Sequence, residues 1–112
     1  MARSLRASAG GDSADRHAAG VHALRRAVFE SAGSTEPAVR VAAGSGGGLP
    51  DPVGSYATVV RDRSYRITDT DLARLTTAGL SDDEVFEVTI AAAVGAALQR
   101  LDAGMRAVGG RA

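Results

Sequence analysis

The chain has no cysteine, lysine, asparagine or tryptophan, and its 112 residues include only two Phe and two Tyr. Without cysteine there is no disulfide, no thiolate nucleophile, no redox dithiol and no cysteine-type zinc site. No run of about 18 apolar residues is present to span a bilayer, and Met1–Gly11 lacks the apolar core of a secretory signal. A soluble, cytoplasmic protein is therefore the expectation, with no membrane partner. An excess of either charge is missing too. Thirteen arginines balance 13 acidic residues, so no net field recruits nucleic acid or an anionic surface. What abounds is small residues: Ala (23) and Gly (14) make up about a third of a chain that is one domain at most.

The two halves read differently. Met1–Gly48 is interrupted by Gly10, Gly11, Gly20, Gly33 and Gly44, and it ends in Gly44-Ser45-Gly46-Gly47-Gly48. Val21, Leu24, Val28 and Phe29 recur at helical spacing and predict one helix near Gly20–Ala32. Gly33 is expected to close it in the left-handed conformation that glycine tolerates. The Gly/Ser run reads as a flexible linker. Residues 1–19 read as a disordered or frayed tail, with too little apolar surface to offset the entropy of ordering.

From Leu49 a helical domain is expected to run to residue 109. Asp51-Pro52 predicts an N-cap and a first-turn proline, which has no N–H to leave unpaired there. The helix that follows, to about Arg66, puts Val53, Tyr56, Ala57, Val60, Ser64 and Ile67 on one face. Thr68 and Asp71 make a capping box, with Ile67 and Leu72 as its hydrophobic staple. Gly79 stops that helix, with Leu80 folding back on Leu75. Ser81 and Glu84 then form a second box, stapled by Leu80 and Val85. The last helix is expected from Asp82 to about Val108, its acidic first turn at the positive end of the helix dipole. Its seam is Phe86, Ile90, Val94, Ala97, Leu101, Met105 and Val108. The stretch from Ala91 to Ala97 is apolar on every side, which predicts burial on every side. No strand-type alternation occurs, and the fold class is all-α. A single core of about 60 residues supplies only ~3–5 kcal/mol, so self-association is expected to complete it.

Helix, Thr68-Asp69-Thr70-Asp71, helix, and then AGLSDDEVFEVTIAAAVGAALQRL over residues 78–101 resembles the carboxymuconolactone decarboxylase family, which includes the alkylhydroperoxidase D-like proteins. The resemblance covers residues 50–108. It implies an all-α, alkylhydroperoxidase D-like helical bundle assembled as trimers or hexamers. The peroxidase members carry Cys-x-x-Cys-x-x-x-His, whose positions fall here near Ser64, Ile67 and Asp71, and a proton-relay glutamate that falls near Pro52. None of those residues is present. A serine hydroxyl is not oxidised by peroxide, so the resemblance extends to the scaffold and not to the dithiol reaction. The reading is an oligomeric binding or regulatory protein of unidentified small-molecule ligand. The alternative is an acid–base enzyme of decarboxylase or lactone-processing type on the same scaffold.

The remaining residues offer few sites. His17 and His22 are five apart, about 140° around a helix, and cannot converge on one metal. Ala43-Gly44-Ser45-Gly46-Gly47 resembles a nucleophile elbow but has no strand before it. A helix-turn-helix over Thr68–Val94 would press Asp82, Asp83, Glu84 and Glu87 against phosphates, which excludes nucleic acid. Arg61, Asp62, Arg63 and Arg66 read as a solvated face. Glu87 and Arg100 are charges on the most apolar helix, so each requires a partner from another element or subunit. Ser64, Asp71 and Glu87, with Tyr65, are the candidate site residues, placed in a cleft if one exists. No cofactor and no metal are implied.

Overall fold

The computed structural model describes residues 15–111, and the side chains of all but the last two. Among these, five helices follow one another. α1 covers 15–30, its last turn Arg26–Glu30 widened to π-helical hydrogen bonding; α2 is Pro37–Ser45; α3 is Val53–Arg63, with a 3-10 turn at Ser64–Arg66; α4 is Asp69–Thr77; α5 is Asp82–Arg111. No strand occurs among the described residues, which are all-α. No helix among them is long and apolar enough to cross a membrane.

The local stop and start signals act as their chemistry dictates. Thr68 Oγ1 accepts from the Asp71 amide at 3.2 Å, and Asp71 Oδ2 accepts from the Thr68 amide at 3.0 Å. Gly79, at φ 102°, lets the Leu80 amide reach back to the Leu75 carbonyl at 3.1 Å. Ser81 and Glu84 close the second box with bonds of 3.2 and 2.9 Å. At α3 the cap sits one residue earlier than a standard N-cap: Pro52 holds that position, and Asp51 Oδ1 accepts from the Ser55 amide at 3.1 Å.

The core gathers Ala43 of α2, Tyr56, Ala57 and Val60 of α3, Leu75 of α4, and Val88, Ala91 and Ala92 of α5. Tyr56 buries its ring and satisfies its hydroxyl on Thr89 Oγ1 at 2.6 Å. Close approach is a property of α2 against α5. A Cβ on Gly44 would meet the Phe29 ring at 2.7 Å and the Ala91 carbonyl oxygen at 3.0 Å.

Several expectations are corrected. Part of the stretch read as linker is helix: Pro37 opens α2 at its first turn, and Gly46, at φ 84°, ends it with its amide on the Ala42 carbonyl. Gly33 is not a left-handed stop, since positive φ occurs only at Gly46, Gly48 and Gly79 among the described residues. The helix of the first half already exists at residue 15, while residues 1–14 of the expected tail lie outside the described residues.

The largest correction concerns α5. Its expected seam faces outward: Phe86, Ile90, Ala97, Leu101, Met105 and Val108 are exposed, and Val94 is half-buried. The opposite face, Val88, Ala91, Ala92, Gly95 and Ala96, is the buried one. The Ala-rich middle is thus buried on one side only, with Ala93 and Ala97 in the open. The physical reason is approach distance: small side chains let α2 settle directly on α5, and the bulky row is left over. Residues 101–109 are exposed throughout, and the molecule measures 61 × 30 × 23 Å. α1 runs beside this extension, where Arg25 pairs with Asp102 at 3.5 Å.

Candidate functional site

Glu87 lies half-buried where α5 meets the turn between α1 and α2. Its Oε2 accepts from the Ser34 amide at 2.8 Å, and its Oε1 from the Thr35 amide at 2.9 Å and the Thr35 hydroxyl at 2.6 Å. The Thr35 hydroxyl, followed by the Ser34 and Thr35 amides, holds its carboxyl down at about 2 against the ordinary 4.5, with burial opposing. A Cβ on Gly33 would lie 2.6 Å from Oε1, so a side chain there would shift this carboxylate from its place.

Arg40 of α2 is the charge on the other side of this junction. It is 3% exposed. One terminal nitrogen donates to the Val28 carbonyl at 2.8 Å and the other to Ser31 and Thr35 carbonyls at 2.5 and 3.4 Å. Its Nε is 4.0 Å from Glu87 Oε1 and has no hydrogen-bond partner. The guanidinium therefore closes the carbonyl end of α1, where the helix dipole favours a cation, while Glu87 gathers the amides ahead of α2. Together they lock α1, α2 and α5 to one another. A shallow groove of about 210 Å³ opens beside them, with Ala27, Val28, Phe86 and Ile90 among its walls.

The other candidates sit elsewhere. Asp71 stays engaged in its capping box; it borders a separate cleft of about 250 Å³ between α3 and α4 with Asp51, Ser55, Tyr56 and Arg74. Ser64 is exposed in the 3-10 turn rather than facing the apolar stripe, and Tyr65 beside it is exposed too. The tightening of the last turn of α3 rotates them away from the core. The four residues are thus not brought into one cleft. Ser45, in the last turn of α2, donates its hydroxyl to the Ala42 carbonyl at 3.3 Å and has no base positioned on it.

Arg61 is not a solvated charge. It is half-buried and donates to the Gly44 carbonyl and, at 2.6 Å, to Gln99 Oε1, and Arg100 donates to its carbonyl at 2.8 Å. Both charges expected to need partners therefore have them within the chain. Asp62, Arg63 and Arg66 remain exposed.

The sequence reading missed Ser34, Thr35 and Arg40. One signal was present: a lone arginine in the apolar run Val39-Arg40-Val41, between the start at Pro37 and the stop at Gly46. No three His, Cys, Asp or Glu converge to hold a metal among the described residues. Compared with protein-family models, curated proteins and solved structures, the chain matches none.

Proposed function

We propose that the chain is an oligomeric helical binding or regulatory module, built on a scaffold of the carboxymuconolactone decarboxylase type and without dithiol peroxide chemistry. The observation that carries this reading is the outward seam of α5. Five large apolar side chains line one open face, Phe86, Ile90, Leu101, Met105 and Val108, where a monomer working alone would carry polar ones. Contiguous exposed apolar surface of this kind marks an association site.

The acid–base alternative requires a carboxyl raised toward neutrality by burial. Glu87 is shifted the opposite way and is saturated with donors, and Asp71 is committed to capping the first turn of α4. A carboxylate held as Glu87 is does not support proton transfer near neutral pH.

The reading is tested by the mass of the protein in solution, measured by light scattering for the wild type and for the paired substitution Leu101→Glu with Met105→Glu. Both residues are exposed in the single chain, so folding is retained, as helical circular dichroism will report. A wild type heavier than one chain and a variant of single-chain mass are the expected results. Single-chain mass for the wild type at high micromolar concentration overturns the reading.

A further inference from the structure

We propose that the open seam of α5 is covered by the same seam of a second copy, packed antiparallel about a two-fold axis at Ala97. This rests on the self-association argued above and names its contact.

Three observations select this occupant and orientation. From Phe86 to Val108 the seam advances by 4, 4, 3, 4, 4 and 3 residues, which is an eleven-residue spacing repeated twice. Its period of about 3.67 residues per turn nearly matches the α-helix, so the stripe stays on one side of α5 over roughly 33 Å. Second, the seam is self-complementary. It has a bulky residue at each end, Phe86 at 65% and Val108 at 65% exposure, and small Ala97 in the open at its midpoint. Reversed on itself, it sets Phe86 against Val108 of the other copy and Ala97 against Ala97, where the two backbones can come closest. A two-fold contact of one patch on itself is the commonest way identical chains associate.

Third, charge is distributed end to end. Asp82, Asp83 and Glu84 occupy the first turn of α5, and exposed Arg100 and Arg106 lie in its C-terminal half. A parallel pair would set the two acidic turns side by side. The antiparallel pair holds the two acidic turns at opposite ends and aligns the helix dipoles head to tail. The groove walled by Ala27 and Val28 flanks Phe86 and Ile90 and widens the apolar strip at both ends of the pair.

The absence of native cysteine makes the test clean, because any introduced cysteine is the only thiol. Ala97→Cys, Phe86→Cys and Val108→Cys are each oxidised mildly, alone and as an equimolar mixture of the last two. A disulfide needs Cα atoms within about 7 Å, whereas each end residue lies roughly 33 Å from its own counterpart in an antiparallel pair. Expected are a disulfide-linked dimer as the main species for Ala97→Cys, none for either end variant alone, and a mixed dimer from the mixture, none of which forms when the oxidation is carried out in urea. Self-linking of Phe86→Cys as readily as Ala97→Cys would mean a parallel pair and overturn the proposal. A protein that is heavier than one chain but links at none of these positions associates through another surface, which overturns the contact and leaves self-association standing. Single-chain mass under all conditions overturns both.

Discussion

Replacing Gly95 by alanine opposes two effects of known sign at one atom. In an ordinary helix interior, alanine is favoured over glycine by ~1 kcal/mol. At Gly95 the added Cβ would lie 2.6 Å from the Gly44 carbonyl carbon and closer still to its oxygen. Ordinary C···O approach requires about 3.3 Å, and the opposing atoms are backbone, so no side-chain rotation relieves the overlap. α2 and α5 must separate by roughly an ångström. A gap of about 0.5–1 Å forfeits a quarter to a half of the dispersion attraction across it, and overpacking costs ~1–3 kcal/mol, with a backbone clash at the upper end. After the propensity gain is subtracted, the net loss is about 2 kcal/mol, roughly 8–16 °C in Tm for a domain of this size. Gly20 of α1 supplies the companion measurement. A Cβ there meets nothing within 4 Å, so Gly20→Ala should gain up to ~1 kcal/mol. Urea unfolding followed by circular dichroism, at one fixed protein concentration, reads both. A Gly95→Ala protein as stable as the wild type would show that α2 does not rest directly on α5.

Three further outcomes follow from the junction and the composition. Arg40→Met strips the donors from the Val28 and Ser31 carbonyls and is expected to cost about 2–3 kcal/mol in urea unfolding, since each orphaned carbonyl costs ~1–3 kcal/mol; an unchanged midpoint contradicts this. The Glu87 carboxyl sits at about 2 when folded and near 4.5 otherwise, so its stabilising effect is complete above pH 4.5 and is lost as pH falls toward 2. Glu87→Gln should therefore be less stable than the wild type at neutral pH, with the gap closing across that acid window; a gap independent of pH contradicts the assignment. The purified protein should show no hydroperoxide consumption when a dithiol reductant and reductase are supplied, and a thiol-dependent rate would contradict the exclusion drawn from its lack of cysteine.

What the sequence made legible was local. Both capping boxes, the glycine stop at Gly79 and the start of α5 depend on groups within four residues of one another, so their spacing suffices to place them. The buried row of α3, Tyr56, Ala57 and Val60, was also legible, because a single period defines it. α2 was obscured because Arg40 interrupts its apolar pattern, and the reason for an arginine there lies in carbonyls of α1 that no local rule connects to it. The partners of Glu87 are 52 and 53 residues away along the chain. The seam of α5 is legible as a row, but which side of the helix the rest of the chain covers is not. Periodicity shows that a helix has an apolar stripe, but α5 has two, one bulky and one small. Hydrophobicity alone favours burying the bulky stripe; the close approach of Gly44 to Gly95 decided for the small one. Ser64, Asp71 and Glu87 carry chemistry that could act in a shared cleft, but the turn after α3, the first capping box and the junction with Ser34 and Thr35 hold them apart.

Amide hydrogen exchange along α5, compared at low and high protein concentration, bears most directly on whether a second copy covers the open seam. The exposed helical extension at 101–109 has few contacts of its own and should exchange readily in a lone chain. The account predicts that protection from Phe86 through Val108 rises with protein concentration, strongest around Ala97 and in the extension, while the amides of α3 and α4 exchange at the same rates throughout. Exchange along this stretch of α5 that is indifferent to concentration, up to the highest attainable, would contradict it.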